Sequence, residues 1–313
     1  MSDGSPASQS RLTGTFGCAL TIDVEEWYHT CLIREYVDPK LRPALADELD
    51  RLLPEILELL DRVQATATFF VLGEVAARLP ARVREIASAG HEIGSHAYLH
   101  YRAEWHRLAA WRQDVARCKA VLEDIVSEPV TGFRSPEWSL RRVSNPRLEH
   151  LAELGFLYDS SLTPCWGSGD RSNPSWATRF NWSSGRTLVE FPPLTHSGRL
   201  QLPIGGWTGR LLPPKRVADV AERHRRRGGL PVLVVHPWEL SGRPTPGVLT
   251  GLARFMHEAA RLSFRARFEE LADLLPMQSI AGAAGALLRP SIGTDAGLPS
   301  TMELSRPFVE NKP

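Results

Sequence analysis

Short apolar segments alternate with longer amphipathic segments along most of this chain. Residues 16–24, FGCALTIDV, and residues 65–72, ATATFFVL, are rich in apolar and β-branched side chains and predict buried strands. Further strands are predicted at HEIGS (91–95), VTGFR (130–134), 187–191 and 230–235. Strands that alternate with helices indicate a parallel sheet, and with this many units we expect a closed or partly closed α/β barrel.

Helical periodicity marks the segments between these strands. The predicted helices cover residues 45–63, 75–89, 108–126, 146–154, 215–227 and 249–275. Gly90 and Gly155 stand where a helix-ending residue is expected. Pro54 interrupts the first helical pattern, which therefore predicts either a kink or a second helix that begins there.

The two ends of the chain differ in composition from the middle. Residues 1–14 are polar and Ser-rich without the apolar segment of a secretory signal, and residues 281–313 are rich in Ala, Gly, Pro and Ser. We predict a disordered leader, one folded domain over 15–280, and a disordered tail. No run of about 18 apolar residues predicts a membrane-spanning helix, so the expected location is cytoplasmic.

Charge and cysteine content narrow the classes of partner. Lys and Arg total 37 against 36 Asp and Glu, a formal net charge of +1, which gives no reason to expect nucleic acid or an anionic membrane as a partner. The four cysteines have no C-x-x-C spacing, and Cys18 and Cys118 lie in apolar patterns that predict buried thiols. The oligomeric state is not determined by these features.

Two polar motifs follow predicted strands. In Thr21-Ile-Asp-Val-Glu-Glu-Trp27, Asp23 and Glu25 share a face of an extended strand, and two such carboxylates can serve as general base and metal ligand. The alternative is an acidic helix N-terminus. In HEIGSHAYLH, the spacing of His96 and His100 predicts two imidazoles on one side of a helical turn, able to bind one divalent ion, although this spacing often occurs by chance.

Two further motifs add a histidine and an arginine. His236 directly ends the apolar strand Leu233-Val-Val, where it suits a proton donor near a metal or, alternatively, a capped core residue. In Gly132-Phe-Arg134-Ser-Pro136-Glu137-Trp138, the arginine is expected to hold a carboxylate in a bidentate pair, with a surface salt bridge as the alternative. The carboxyl ends of barrel strands are where catalytic groups converge.

These four motifs, in this order and spacing, resemble the polysaccharide deacetylases, the carbohydrate esterase family with a NodB-type domain that includes chitin and peptidoglycan deacetylases. The likeness runs from about Phe16 to Leu275 and is closest in ATFFVLGEVA and VREIASAGHEIGSHAYLH. Later segments, including FLYDSSLTP, LPIGGW, RLLP and HPWEL, resemble the subgroup encoded with bacterial exopolysaccharide-synthesis loci. The resemblance implies a distorted (β/α)7 barrel, an incomplete TIM-like barrel, for the 15–280 domain.

The resemblance also implies an activity, the removal of N-acetyl groups from an amino sugar of a polysaccharide or oligosaccharide by a metal-dependent hydrolase. Asp23 matches the family's catalytic base, and His96 and His100 match its metal-binding histidines. Arg134 would orient Asp23, and His236 matches the general acid. The expected metal is Zn²⁺, with Co²⁺, Ni²⁺ and Mn²⁺ as alternatives.

One departure from the family pattern concerns the third metal ligand. Many members have two adjacent aspartates, whereas here Asp23 is followed by Val24, which cannot bind a metal. Glu25 is the predicted third ligand, Glu26 is the reserve, and water could complete the shell. The family's Asp-Trp motif, which tunes the acid histidine, has no clear match, and Glu190 and Asp159 are the candidates for that role.

Aromatic side chains near the motifs are candidates for sugar contact. Nine Trp are available, and although most are expected in the core, sugar-binding clefts often use aromatic faces. The predicted substrate-binding residues are Trp27, Pro136, Glu137, Trp138 and Trp238. Two other functions stay open: a sugar-binding protein with a decayed site, and a hydrolase of another non-peptide C–N amide bond.

Overall fold

The computed structural model of the protein describes residues 5–34, 37, 38, 40, 48–165, 167–196, 201–242 and 249–288. The strands are β1 (Ser8–Arg11), β2 (Cys18–Val24), β3 (Thr68–Val71), β4 (Glu92–Ser95), β5 (Gly132–Phe133), β6 (Tyr158–Asp159), β7 (Thr178–Asn181), β8 (Thr187–Glu190), β9 (Val232–Val235) and β10 (Met277–Gln278). All of the strands predicted from the sequence are present.

The helices lie between the strands and after them. They are α1 (Cys31–Arg34), α2 (Glu48–Arg62), α3 (Gly73–Arg78), α4 (Pro80–Ser88), α5 (Leu108–Val126), α6 (Arg147–Glu153), α7 (Gly206–Leu211), α8 (Pro214–Arg226), α9 (Gly251–Glu258), α10 (Phe264–Leu274) and α11 (Ile280–Leu288). Short 3-10 helices cover Ala103–Trp105, Pro136–Trp138 and Pro237–Glu239.

Parallel strands form the body of one sheet in the order β9-β2-β3-β4-β5-β6-β8. β7 and then β1 continue the sheet beyond β8 as antiparallel strands, and β10 pairs with the start of β2. β8 and β9 do not pair among the described residues, although the Leu194 N–H donates to the Val232 carbonyl at 2.8 Å. The predicted incomplete barrel of seven parallel strands is therefore confirmed, and it is not fully closed.

Several helix predictions need correction. Residues 75–89 form parts of two helices, because Pro80 begins α4 and has no N–H with which to continue α3. Pro54 lies inside the single helix α2, whose buried leucine and isoleucine face offsets the cost of the proline. Residues 249–275 divide into α9 and α10 around Ala260, which has a φ of 55°. Gly90 and Gly155 have left-handed backbone at the ends of their helices, as expected.

The predicted disordered leader and tail also need correction. Ser8–Arg11 pair with β7 over four residues, so this part of the leader belongs to the sheet. Ile280–Leu288 form α11. In its first turn, the Ala281 N–H donates a hydrogen bond to the Glu92 carboxylate at 2.9 Å. Residues 1–4 and 289–313 lie outside the described residues. Cys18 and Cys118 are free buried thiols, as predicted.

Two glycines allow large side chains to fill the barrel interior. A Cβ at Gly94 would come within 2.6 Å of the Phe70 ring, and one at Gly132 would come within 2.2 Å of the Tyr158 ring. Because both neighbours are fully buried aromatic rings, neither clash could be relieved cheaply. The space left by Gly94 admits the Phe70 ring, on which the Arg134 guanidinium rests with 4.3 Å between carbon and ring centroid.

Candidate metal centre and catalytic site

Three side chains converge where β2 and β4 end. Glu25 follows the last residue of β2, and His96 and His100 follow β4. Their candidate donor atoms, one from each residue, all lie within 4.8 Å of one another. All three residues are buried, at 4% exposure or less. One carboxylate and two imidazoles are a donor set that suits a divalent cation such as zinc.

The two histidines do not lie on a helical turn, which corrects the geometry predicted from their spacing. They belong to an irregular segment after β4, and Ala97 between them has a φ of 67°. The two imidazoles still lie close together, with ring centroids 5.5 Å apart. The spacing predicted the pairing correctly but for the wrong local structure.

Hydrogen bonding sets the tautomer of His96. Its Nδ1 lies 2.8 Å from the Arg134 carbonyl oxygen, which can only accept, so Nδ1 carries the proton and Nε2 is left with a free lone pair. Burial lowers the pKa of the His96 imidazole to about 4, which keeps the ring neutral. A neutral imidazole with a free Nε2 is the form that binds a metal.

The carboxylate of Glu25 lies among three imidazoles. Its Oε2 is 2.5 Å from His100 Nε2 and 3.9 Å from His96 Nε2, and its Oε1 is 3.6 Å from His236 Nε2. Burial raises the pKa of Glu25, but these imidazoles together lower it below its ordinary value. Oε2 is buried and makes no hydrogen bond of normal geometry with a described residue. Its nearest imidazole nitrogen, His100 Nε2, is itself one of the converging donors, so one cation can bind both.

Glu26, the reserve ligand, is placed elsewhere. It is buried, but its Oε1 accepts a hydrogen bond from Arg78 Nη2 at 2.7 Å. It is not one of the three side chains whose donor atoms converge. Val24 has no exposure and packs in the hydrophobic core, away from the three converging donors. The structure therefore brings together Glu25 and not Glu26.

Asp23 lies beside this cluster and is hydrogen-bonded to a buried arginine. Arg134 Nη1 donates to Asp23 Oδ1 at 2.7 Å and to Thr21 Oγ1 at 2.8 Å. Arg134 also donates to the Ser160 carbonyl and hydroxyl, and it is 1% exposed. The pair is thus a buried one, as opposed to a surface salt bridge. The predicted bidentate contact is corrected, since the second guanidinium edge binds Ser160.

His236 ends β9 with its ring held by a carboxylate that the sequence interpretation missed. Glu239 Oε2 lies 2.8 Å from His236 Nδ1 and accepts from the His236 N–H at 2.9 Å. Glu239 Oε1 lies 2.8 Å from Arg210 Nε, and both of these side chains are fully buried. Burial lowers the pKa of His236, but Glu239, followed by Glu25 and Asp23, raises it to about 9.

The signal for Glu239 was present in the sequence. His-Pro-Trp-Glu places a carboxylate three residues after the histidine, and Pro237 starts the short helix that brings positions 236 and 239 together. The two predicted candidates, Asp159 and Glu190, form a separate buried carboxyl pair in which burial raises both pKa values. Glu239, not this pair, contacts His236.

The predicted sugar-binding residues fall into two groups. Trp27 and Trp238 are 2% and 6% exposed and pack in one buried cluster, and Trp238 stacks on His236 with centroids 5.3 Å apart. Both rings pack inside this cluster with little exposed surface, and their contact with a sugar stays a prediction. Pro136 is buried, whereas Glu137 and Trp138 are partly exposed and have φ values of 55° and 51°.

An exposed aromatic ring that the sequence interpretation did not select lies beyond the His100 segment. Trp105 is 57% exposed, the highest value for an aromatic side chain among the large exposed apolar residues described. Its short helix is tied to the segment after β5, because the Ala103 N–H donates to Ser139 Oγ at 2.9 Å.

Within the part of the chain that the structure describes, no helix is both long and apolar enough to cross a membrane.

Comparisons with known proteins identify two matched parts of the chain. Residues 46–158 match the family model described as polysaccharide deacetylase, and residues 160–283 match a domain of unknown function. The peptidoglycan deacetylase of Helicobacter pylori is 30% identical over 112 residues, which are 35% of this chain and 36% of that protein. The chitooligosaccharide deacetylase of Sinorhizobium fredii is 33% identical over 116 residues, 37% of this chain and 46% of that protein. The chain thus matches less than half the length of these curated relatives.

A solved structure resembles nearly the whole chain. The crystal structure of a candidate polysaccharide deacetylase from Mycobacterium smegmatis superposes with a TM-score of 0.56 and 22% identity, covering 94% of this chain and 99% of that one. At this identity the likeness supports the fold alone. It agrees with the incomplete barrel formed by the parallel strands.

Proposed function

We propose that the chain is a metal-dependent hydrolase that removes N-acetyl groups from an amino sugar of a glycan. The proposal starts from its place in the polysaccharide deacetylase family, whose model residues 46–158 match. The observation that carries the proposal is the convergence of Glu25, His96 and His100 beside Asp23 and His236. The names of the curated relatives, which act on peptidoglycan and chitooligosaccharides, support an N-acetylated sugar as substrate. The sequence segments that resemble the exopolysaccharide-locus subgroup favour an exopolysaccharide.

Glu25, His96 and His100 would hold the metal. Their single carboxylate and two imidazoles favour Zn²⁺, with Co²⁺, Ni²⁺ and Mn²⁺ as alternatives. When bound, such an ion supplies Lewis acidity, which polarises the acetyl carbonyl and makes water more acidic. The buried Glu25 Oε2, beside His100 Nε2, and the proton-free His96 Nε2 fit this group.

Asp23 and His236 would move the protons. Asp23, oriented by Arg134 at 2.7 Å, accepts a proton from the attacking water. His236 has Nδ1 directed to Glu239 and Nε2 directed to Glu25, so Nε2 faces the site and donates a proton to the departing amine nitrogen. The products are acetate and a free amino sugar. The two proton-transfer groups thus have separate partners, Arg134 for the base and Glu239 for the acid.

The test is acetate release by the purified chain. Protein stripped with a chelator and reloaded with Zn²⁺ or Co²⁺ is incubated with N-acetylglucosamine oligomers and with N-acetylated exopolysaccharide fragments. We expect acetate release that needs the metal and that His96→Ala abolishes. Protein that binds one metal ion per chain yet releases acetate from none of these substrates would contradict the proposal.

Glu239→Gln is expected to lower kcat by about 100-fold or more, because a carboxamide can present its NH₂ to His236 Nδ1 and select the wrong tautomer. The metal should stay bound, since Glu239 is not one of the converging donors. Steady-state kinetics with metal analysis measure both effects. Glu258→Gln is the matched control, because Glu258 is also paired with an arginine, Arg261, at 3.1 Å. Equal losses in the two variants would show that Glu239 is only structural.

A further inference from the structure

A groove lined by arginines lies close to the proposed site and has no part in the mechanism above. It consists of two adjoining cavities of about 350 Å³ and about 400 Å³, which share Arg141 and Arg142. Arg147 lines the first cavity, and Arg171 lines the second. We call these four residues and the space between them the arginine groove. Each cavity falls in the range of ligand pockets, roughly 300–1,000 Å³.

The groove lies at the same end of the sheet as the proposed metal centre. Its wall at Ser139 bonds to Ser135 Oγ at 2.9 Å, one residue after Arg134, which holds Asp23. Asn173 Nδ2 donates to the Arg141 carbonyl at 2.7 Å and to the Thr163 carbonyl at 3.0 Å, which joins the segments after β5 and β6. The groove wall and Arg134, which holds Asp23, thus lie on one segment of chain after β5, and this segment is the basis for placing a bound glycan across both.

The charges in the groove do not cancel. Its lining contains two carboxylates, Glu104 and Asp170. Glu104 accepts hydrogen bonds from Arg102 at 2.8 and 3.0 Å, so Arg141 reaches it only at 3.9 Å. Asp170 is 2.9 Å from Arg142.

Arg171, in contrast, makes no ion pair with any residue that the structure describes. The groove therefore holds positive charge that a ligand could meet. A guanidinium binds a carboxylate in planar, two-point geometry, which makes a carboxylate the best-matched group.

The backbone at the centre of the groove is strained. Arg141 has a φ of 59°, a left-handed conformation that costs a non-glycine residue about 1 kcal/mol or more. Its carbonyl is fixed in this state by the hydrogen bond from Asn173. Strain of this kind persists where the surrounding structure enforces it, and Arg141 lines both cavities.

We propose that the arginine groove binds a carboxylate-bearing sugar, a uronic acid, that neighbours the acetylated sugar in the substrate chain. This inference rests on the proposed function, since it names the class of glycan which that site would accept. The acetylated sugar lies at Asp23 and His236, and the uronic acid lies between Arg141 and Arg171. The substrate class is thus an acidic polysaccharide.

The test compares two substrates that differ only in charge, an N-acetylated oligosaccharide with a uronic acid and the same oligosaccharide after reduction of the carboxylate to an alcohol. For the unaltered protein we expect kcat/KM about tenfold higher on the acidic form, the size of one charge-assisted hydrogen bond. In the double variant Arg141→Gln, Arg171→Gln the ratio should fall to about 1. Salt at about 1 M should reduce it in the unaltered protein as well.

The control is Arg186→Gln, an exposed arginine that precedes β8 at the opposite end of the sheet, which should keep the tenfold ratio. A kcat/KM ratio near 1 in the unaltered protein, or an unchanged ratio in the double variant, would contradict the proposal that the arginine groove binds a uronic acid. Equilibrium binding of the acidic oligosaccharide, measured by calorimetry, separates the two proposals. Binding that depends on Arg141 and Arg171 without any acetate release would leave the groove standing and refute the deacetylase.

Discussion

Glu25→Gln will abolish stoichiometric metal binding, whereas Glu26→Gln will leave it intact. The first substitution removes the only carboxylate whose oxygen converges with the two imidazoles among the described residues, and it replaces an anion by a neutral amide of the same shape. The loss of an outer partner of a metal ligand already costs about 10–100-fold in affinity, so removal of a ligand should cost at least ~100-fold. Elemental analysis of dialysed protein and competition with a coloured chelator measure the change.

Glu26→Gln is a matched control, because both carboxylates are buried at 2% exposure and adjacent in sequence. Glu26 is engaged by Arg78 at 2.7 Å, so its variant should lose some thermal stability and keep the metal. Retention of one metal ion per chain by Glu25→Gln with loss by Glu26→Gln would reverse the assignment. Retention by both would point to a shell made of the two histidines and water.

The choice of Glu25 over Val24 follows from where β2 ends. Val24 is the last residue of the strand, and its side chain continues the alternation into the core. The Glu25 N–H then bonds to the Asp23 carbonyl at 3.0 Å, a tight reversal that turns the next side chain towards the histidines. The family pattern of adjacent aspartates could not show this, because the placement depends on the turn and not on the residue types.

Local pattern was sufficient to predict a parallel sheet with alternating helices and the polar ends of its strands, whereas the incomplete barrel of seven strands was implied by the family resemblance. The apolar runs at 16–24 and 65–72 and the helix at 108–126 carry strong periodic signals, and the structure contains all three, with α5 at the predicted bounds. β1 and α11 were missed because Ser8–Arg11 and Ile280–Leu288 have polar or low-complexity sequences. Their order comes from pairing with β7 and from contact with Glu92, which are tertiary interactions.

The candidate site was predictable in its members but not in its supports. Each of Asp23, His96 and His236 lies at the end of an apolar strand, a position that sequence alone indicates. Glu239 and Arg210 were not selected, because their role depends on a contact between two distant buried charges. The burial of Trp27 and Trp238 was likewise outside the reach of local pattern, since an aromatic ring beside a polar motif can face either core or solvent.

Asp23→Asn will lower kcat by about 10²–10⁴-fold and leave the metal bound, because it removes the general base but none of the converging ligands. Asn can still accept the hydrogen bond that Arg134 Nη1 donates at 2.7 Å, so the site keeps its shape. The Arg134 guanidinium, however, loses the negative charge that balances it. Some thermal stability should be lost, since a buried charge without its partner is costly. Rates are therefore compared well below the melting temperature, with metal content measured on the same sample.

Arg134→Gln tests how much of the rate depends on the orientation of the Asp23 carboxylate, as distinct from its ability to accept a proton. It keeps the Asp23 carboxylate but removes the guanidinium that holds it and that also binds Ser160. We expect a smaller fall in kcat than for Asp23→Asn, because a base that is present but mobile still accepts protons. If Asp23→Asn loses the metal together with the activity, Asp23 is a ligand and the base must be sought elsewhere. If it keeps both the metal and the rate, proton transfer does not pass through Asp23.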